Sequence, residues 1–98
     1  MGEVEAALER VGAAGCADRP VRTLSAGQKR RAALAALSLL AAPLWLLDEP
    51  TTNLDSAGQH LVGTLIEEQL ARGGSVLAAT HQELPVARER VRRLELAA

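Results

Sequence analysis

The sequence predicts an α/β fold in which helices flank a parallel β-sheet. Two short apolar runs, at 44–47 and 75–80, have the length and composition of buried strands. Segments with helical periodicity precede, separate and follow these runs, and such alternation is typical of a parallel sheet. With 98 residues, the chain has room for one small domain at most.

Proline, glycine and apolar spacing set the boundaries of the predicted elements. Pro43 ends the second helix and the glycine pair at 73–74 ends the third. Val4, Leu8 and Val11 form one apolar stripe on the first helix. Both strands are continuous apolar runs, so we expect them to be buried on both faces. The predicted elements are a helix over 3–12, a loop over 13–23, a helix over 25–42, a strand over 44–47, a helix over 56–72, a strand over 75–80, a short helix over 83–90 and an edge strand over 91–96.

The composition excludes several classes of protein. A net charge of −1 argues against a basic nucleic-acid module, and we interpret Lys29-Arg30-Arg31 as part of a solvated face. A hydrophobic content of 48% argues against disorder. No apolar run reaches the roughly 18–20 residues of a membrane span. The single cysteine, Cys16, cannot form an internal disulfide, and neither it nor His60 has the spacing of a metal ligand.

The start of the second helix is the first candidate site, at Ser25-Ala26-Gly27-Gln28. The simpler interpretation is a capping box, in which Ser25 caps the helix and Gln28 reaches back to it. The functional interpretation uses the same geometry, because the free amides and partial positive charge of a helix start bind phosphate. Gly27 would then allow a close backbone approach, and the Ser25 hydroxyl would add a donor.

The carboxyl ends of the two strands are the second candidate site, because ligands of parallel sheets bind there. Asp48 and Glu49 follow the first strand, and His81 follows the second. We interpret Asp48 as a ligand of Mg²⁺ acting through water, and Glu49 as the group that orients and polarises an attacking water. His81 is either an ordinary loop residue or a hydrogen-bond donor to a transferring oxygen. Asp55 or Ser56 is expected to cap the next helix.

Taken in order, four motifs resemble the second half of an ABC-type nucleotide-binding domain. LSAGQ at 24–28 matches the signature motif, LWLLDE at 44–49 matches Walker B, TNLD at 52–55 matches the D-loop, and His81 matches the switch histidine. The resemblance covers nearly the whole chain from the first motif onward. The sequence is further similar to the ATP-binding subunit of the haem exporter of cytochrome c biogenesis, although Ala36 stands where that family usually has arginine.

The resemblance implies an incomplete P-loop NTPase domain with two regions. Residues 1–42 would be the end of the helical subdomain, with the signature motif and its helix. Residues 43–98 would be the carboxyl-terminal part of the RecA-like core. The implied ligands are ATP and Mg²⁺, and the implied activity is ATP hydrolysis coupled to transport.

The resemblance also implies partners and roles for the candidate residues. In this family two domains enclose two ATP molecules head to tail. The signature residues Ser25 and Gly27 would therefore act on the nucleotide of the second domain, whereas Asp48 and Glu49 would act on the ATP of their own domain. Asp55 would lie at the dimer interface. A membrane permease would hold the assembly at the cytoplasmic face of the bacterial inner membrane, and no nucleic-acid partner is expected. The assigned residues are Ser25, Ala26, Gly27, Gln28, Asp48, Glu49, Asp55 and His81.

One expected motif does not occur in the sequence. There is no G-x-x-x-x-G-K-[ST], the loop that cradles phosphates, and Lys29 is the only lysine. We therefore expect a truncated product, a fragment of a broken assembly or a mis-called start, inactive alone and marginally stable because the strand at 44–48 has an open edge. Two alternatives stay open: an ABC ATPase head of the DNA-repair type, and a non-catalytic fragment that only pairs with another nucleotide-binding domain. Salt-sensitive DNA binding would support the former.

Overall fold

The parallel sheet and the helices around it are seen in a computed structural model, which describes residues 2–16, 18–40, 42–87 and 91–92. Two short 3-10 turns, at Ala14–Cys16 and Val21–Thr23, interrupt the predicted first loop. The helices and strands are α1 (Glu3–Arg10), α2 (Ala26–Leu39), β1 (Leu44–Asp48), α3 (Ser56–Ala71) and β2 (Ser75–Ala79). The predicted α/β class with a parallel sheet is confirmed.

The two strands and the helix between them form a β-α-β unit. β1 pairs with β2 in parallel, in a register that runs from Leu44 beside Ser75 to Asp48 beside Ala79. The Glu49 amide continues the ladder beyond β1 by donating to the Ala79 carbonyl at 2.7 Å. Because the strands are parallel and in step, the residues that follow both of them emerge at one edge of the sheet.

The prediction that both strands are buried on both faces is wrong for the described part of the chain. Trp45 is 2% exposed, whereas Leu46 and Leu77 are 69% and 62% exposed. Side chains of a strand alternate between its faces, so one face of the sheet is buried and the other is open. The Trp45 face belongs to a core shared with Val62, Leu65 and other apolar side chains of α3.

The first helix packs on the second, and its apolar stripe is shorter than predicted. Leu8 and Val11 are buried, but Val4 is 55% exposed. α1 ends at Arg10 because Gly12 takes a φ of +76°, which leaves the helical region. Leu34 and Ala35 supply the buried positions of α2.

A buried amide fixes the spacing between the third helix and the sheet. Gln69 is 1% exposed, and its Nε2 donates to the carbonyls of Ala42 at 2.9 Å and Ser75 at 3.5 Å. Its Oε1 accepts from Arg72 at 2.8 Å, and the Arg72 guanidinium lies over the Trp45 ring, 5.6 Å from its centroid. The side chain therefore joins the segment before β1 to the first residue of β2.

The end of the chain departs from the prediction. Residues 83–87 are not helical, and residues 88–90 of the predicted helix over 83–90 lie outside the described residues. Instead, Leu84 and Val86 pack against the core as irregular chain, and Pro85 lies directly over Gly63 of α3. Of the predicted edge strand over 91–96, the described residues 91–92 are not in a strand, and 93–96 lie outside the described residues.

None of the described helices combines the length and the apolar character needed to cross a membrane.

Candidate functional site

The start of α2 forms the predicted capping box. The Ser25 Oγ accepts from the Gln28 amide at 3.1 Å, and the Gln28 Oε1 accepts from the Ser25 amide at 2.9 Å. Both side chains thus satisfy amides of the first turn that have no partner within the helix. Ser25 and Ala26 are exposed, and Gly27 is half-buried. The simpler interpretation of this motif is confirmed, while phosphate binding by the same turn stays a prediction.

The glycine of this turn meets the loop that carries Asp55. A Cβ atom on Gly27 would lie 3.1 Å from the carbonyl oxygen of Asn53. That distance is tighter than most Cβ contacts, so the absence of a side chain lets the two backbones approach closely. Asn53 itself has a φ of +67°, a conformation that asparagine tolerates better than most residues. The close approach predicted for Gly27 thus occurs with another part of the same chain.

Asp55, rather than Ser56, caps the third helix. Its Oδ1 accepts from the Gly58 amide at 2.9 Å, and the same oxygen accepts from Arg31 Nη2 at 3.2 Å. The Asp55 side chain is 72% exposed, so it remains open to a second protein surface. The role predicted for it at a dimer interface stays a prediction.

Glu49 lies at the carboxyl end of β1 in a strained conformation. Its φ is +44°, in the left-handed region that side chains other than glycine, asparagine and aspartate rarely adopt. The amide of Glu49 is bonded to the second strand, so the ladder fixes the residue at the edge of the sheet. Its side chain is 32% exposed, and the carboxylate is therefore within reach of solvent water.

His81 reaches Glu49 across the ends of the two strands. The imidazole Nε2 lies 3.6 Å from the Glu49 Oε1, and the imidazole is 97% exposed. The distance is longer than a hydrogen bond, so the two groups are neighbours without a direct bond. The sheet register thus brings together two residues that the sequence placed only at separate strand ends.

A hydrogen bond between two loops was not foreseen from the sequence. The Thr51 hydroxyl donates to the Gln82 Oε1 at 3.0 Å, and Thr51 is 3% exposed. The Gln82 amide donates to the Thr80 hydroxyl at 3.0 Å. The bond from Thr51 holds the loop of His81 against the loop of Glu49, and the bond to Thr80 lies within the His81 loop. The sequence indicated these residues only by position, because Thr51 lies close to Glu49 and Gln82 follows His81.

Asp48 lies next to Glu49 at the carboxyl end of β1, and its predicted role as a magnesium ligand stays a prediction. It is the last residue of β1 and exposed. The Arg30 Nη1 lies 3.4 Å from its backbone carbonyl, which leaves the carboxylate oxygens for a cation. Mg²⁺ takes one or two carboxylates and keeps several waters, so a single exposed carboxylate suits it. Among the described residues, no group of three or more His, Cys, Asp or Glu side chains forms a metal site with protein ligands alone.

The candidate residues thus form two groups. Glu49 and His81, with Asp48 beside them, lie at the carboxyl edge of the sheet. The helix start at Ser25–Gln28 and the loop of Asp55 form the other group, joined by the contact between Gly27 and Asn53. Arg31 belongs to the second group, and its side chain is 22% exposed. The prediction that Arg31 lies on a solvated face is therefore wrong.

Comparison with known proteins gives one consistent result. The family model described as ABC transporter matches residues 2–52. A cytochrome c biogenesis ATP-binding export protein CcmA from Rhodopseudomonas palustris is 47% identical over 90 residues, which are 92% of this chain and 45% of that protein. A protein of the same name from Cereibacter sphaeroides is 50% identical over 85 residues, 87% of this chain and 40% of that protein.

A solved structure shows the same fold. It is cbiO1 from Clostridium perfringens, described as part of the ABC transporter complex cbiONQ. It superposes with a TM-score of 0.57 and 37% identity, over 82% of this chain and 32% of that chain. The present chain spans less than half the length of the curated relatives it matches.

Proposed function

This chain belongs to the ABC transporter family, and from that premise we propose that it supplies the water-activating part of an ATP-hydrolysing site. The observation that supports this most is the 3.6 Å distance between His81 Nε2 and Glu49 Oε1. A carboxylate at this position accepts a hydrogen bond from the attacking water and polarises it. The imidazole donates to the transferring phosphoryl oxygens, where negative charge develops.

In the same proposal, Asp48 would hold Mg²⁺ through water, and the ion would supply neutralisation of phosphate charge. The exposed carboxylate at the end of β1 supports this assignment. The start of α2 binds the γ-phosphate of a second nucleotide-binding domain through its free amides and the Ser25 hydroxyl. Residues 1–42 would then belong to a helical subdomain, and residues 43–98 to the core.

We propose export during cytochrome c biogenesis, with haem as the cargo, as the process that this activity drives. The names of the relatives from Rhodopseudomonas palustris and Cereibacter sphaeroides support the process. The partners would be a second nucleotide-binding domain and a membrane permease, at the cytoplasmic face of the inner membrane.

A chimera tests the catalytic assignment. The matching 90 residues of the Rhodopseudomonas palustris relative are replaced by the equivalent part of this chain, and ATP turnover is measured. We expect turnover by the chimera, and a loss of about 10²-fold or more in its Glu49→Gln variant with ATP binding retained. His81→Gln should also lower turnover, whereas the control His60→Gln, which changes the other histidine on exposed α3 surface, should not.

Two outcomes would contradict the proposal. One is a Glu49→Gln chimera that turns over ATP at the unmodified rate. The other is an equal loss in His60→Gln and His81→Gln, because it would reflect general damage. Restoration of cytochrome c in a strain that lacks the relative tests the proposed process separately from the chemistry.

A non-catalytic role is the second candidate, since Ser25 and Ala26 of the signature turn are exposed and open to a second domain. Such a chain would pair with an intact nucleotide-binding domain without completing two sites. Excess chain added to the intact relative would then lower its ATP turnover, and a Ser25→Ala chain would lower it equally, because pairing rather than phosphate contact is responsible.

A further inference from the structure

We propose that Arg31 is a positioning residue that couples the Asp55 loop to the end of α1 through the signature helix. The inference rests on the proposed function in giving Asp55 a place at the interface with a second domain. The Arg31 guanidinium lies at a junction of three segments: the end of α1, helix α2 and the Asp55 loop. A displacement at Asp55 is transmitted through this junction to the segment that follows α1.

The guanidinium bonds to two segments distant in sequence. The Arg31 Nη1 donates to the Val11 carbonyl at 2.8 Å, and the Nη2 donates to the Asp55 Oδ1 at 3.2 Å. Arg31 itself lies on α2, in the second turn after the capping box. One rigid planar group therefore connects the carboxyl end of α1, the signature helix and the first turn of α3.

Two glycines make room for this group. A Cβ atom on Gly12 would lie 3.1 Å from the Arg31 Nη1, and a Cβ atom on Gly58 would lie 3.2 Å from the Nη2. The two glycines come from the turn after α1 and from α3, so each of the outer segments leaves space for the guanidinium. The Arg31 side chain is 22% exposed, whereas the Asp55 side chain is 72% exposed, so the ion pair joins a partly buried guanidinium to a carboxylate at the surface.

Arginine has the geometry that this junction needs. Its planar fork donates in two fixed directions at once, whereas the lysine ammonium is a point charge on a flexible stem. The Asp55 Oδ1 accepts two hydrogen bonds, one from the Gly58 amide that caps α3 and one from the Arg31 guanidinium. A force on the Asp55 carboxylate therefore moves the guanidinium, and with it the peptide group between Val11 and Gly12.

Nuclear magnetic resonance of the whole 98-residue chain tests the coupling without nucleotide. Asp55→Asn keeps an oxygen for the cap but removes the charge that Arg31 pairs with. We expect this change to shift the amide signals of both Gly58 and Gly12. In an Arg31→Met background, the shift at Gly12 should shrink by about threefold or more, while that at Gly58 persists.

Matched variants separate coupling from general damage. Lys29→Gln removes an exposed charge from the same helix and should leave the response of Gly12 to Asp55→Asn unchanged. Arg31→Lys should reduce the response of the Gly12 amide to Asp55→Asn as Arg31→Met does. Lysine keeps the charge but lacks the planar group that donates in two fixed directions. If the sole tryptophan, Trp45, shows by fluorescence that Arg31→Met does not fold, Arg31→Lys carries the test.

An equal response of Gly12 in the native and Arg31→Lys backgrounds would overturn the inference, since packing would then transmit the change. Because no ATP is involved, that result would leave the proposed hydrolytic function untouched. Conversely, an inactive chimera with normal coupling in the spectra would remove the proposed function and leave the junction in place.

Discussion

The Nε2 of His81 lies 3.6 Å from the Oε1 of Glu49, across the ends of two parallel strands. His81 is almost fully exposed, so the imidazole itself has little packing to hold it there. Its position depends on the backbone of the loop that carries it. That loop is tied to the loop of Glu49 through Thr51 and Gln82.

Removal of the Thr51 hydroxyl should destabilise the chain by about 0.5–1.5 kcal/mol, the usual net value of one hydrogen bond. Thr51→Val keeps the shape of this buried side chain but leaves the Gln82 Oε1 without its donor. Urea unfolding followed by Trp45 fluorescence measures the effect. Thr51→Ser should retain most of the stability.

A threonine elsewhere provides the control for Thr51. The Thr64 hydroxyl donates to the His60 carbonyl within its own helix, at 3.2 Å. Thr64→Val should change stability by less than Thr51→Val, because that carbonyl keeps its helical partner. Equal losses in the two variants would show that the bond to Gln82 contributes nothing.

Replacement of Gln69 by leucine should cost about 1–3 kcal/mol, because the carbonyls of Ala42 and Ser75 lose the donor that this buried side chain supplies. The amide is 1% exposed, so water does not replace it easily. Thermal unfolding of Gln69→Leu is the measurement. Gln59→Leu, on an exposed turn of the same helix, is the matched control. If Gln69→Leu were at least as stable as Gln59→Leu, the bridging role of Gln69 would be refuted.

An added methyl group at Gly63 should displace the segment that follows β2. Its Cβ atom would overlap the Pro85 carbonyl oxygen. Alanine favours a helix by roughly 0.8–1.0 kcal/mol over glycine, but overpacking costs about 1–3 kcal/mol, so we expect Gly63→Ala to be destabilised or to lose the contact with Pro85.

Limited proteolysis distinguishes these two results for Gly63→Ala. A displaced segment becomes accessible near Leu84 and Val86, which otherwise pack against the core. Gly15→Ala serves as the control, because a Cβ atom there meets nothing within 4 Å. If Gly63→Ala were as stable and as resistant as Gly15→Ala, the close packing over α3 would be disproved.

The ion pair between Arg10 and Glu68 should contribute little. Both side chains are about two-fifths exposed, at 44% and 40%, and such pairs are worth about 0.2–1 kcal/mol. The hydrogen bond to Glu68 raises the pKa of Arg10, so the contribution is present below the ordinary arginine pKa and is lost only as pH rises through the raised value.

A double-mutant cycle of Arg10→Met and Glu68→Gln measures this pair. We expect the coupling energy to fall as salt is added. Titration of Arg10 should not change the coupling energy near neutral pH, because the pKa of Arg10 is raised. A coupling above about 2 kcal/mol would contradict the surface character of the pair.

Local signals in the sequence predicted local structure well. Ser25 and Gln28 form the expected capping box, and the glycine at 73, with a φ of +84°, follows the end of α3 as expected. The alternation of helical segments and short apolar runs predicted the α/β class and the placement of Glu49 and His81 at strand ends. These features depend on neighbours in sequence or on the general rule for parallel sheets.

Contacts between segments that are distant in sequence could not be predicted from these local signals. Nothing around Arg31 marks it as the centre of a junction, because its partners at Val11 and Asp55 are brought to it only by folding. The apolar runs likewise predicted burial on both faces, whereas Leu46 and Leu77 remain open. Composition shows that a side chain favours burial, but not which other segments cover it.

The left-handed backbone of Glu49 has a consequence for the stability of the chain. A non-glycine residue in such a conformation costs about 1–3 kcal/mol, and the φ of +44° applies to a residue that contributes one polar side chain at the sheet edge. Glu49→Gly should therefore raise the melting temperature of the chain while it removes the carboxylate. Under the proposed function, this backbone strain is the cost of holding the Glu49 carboxylate at the sheet edge.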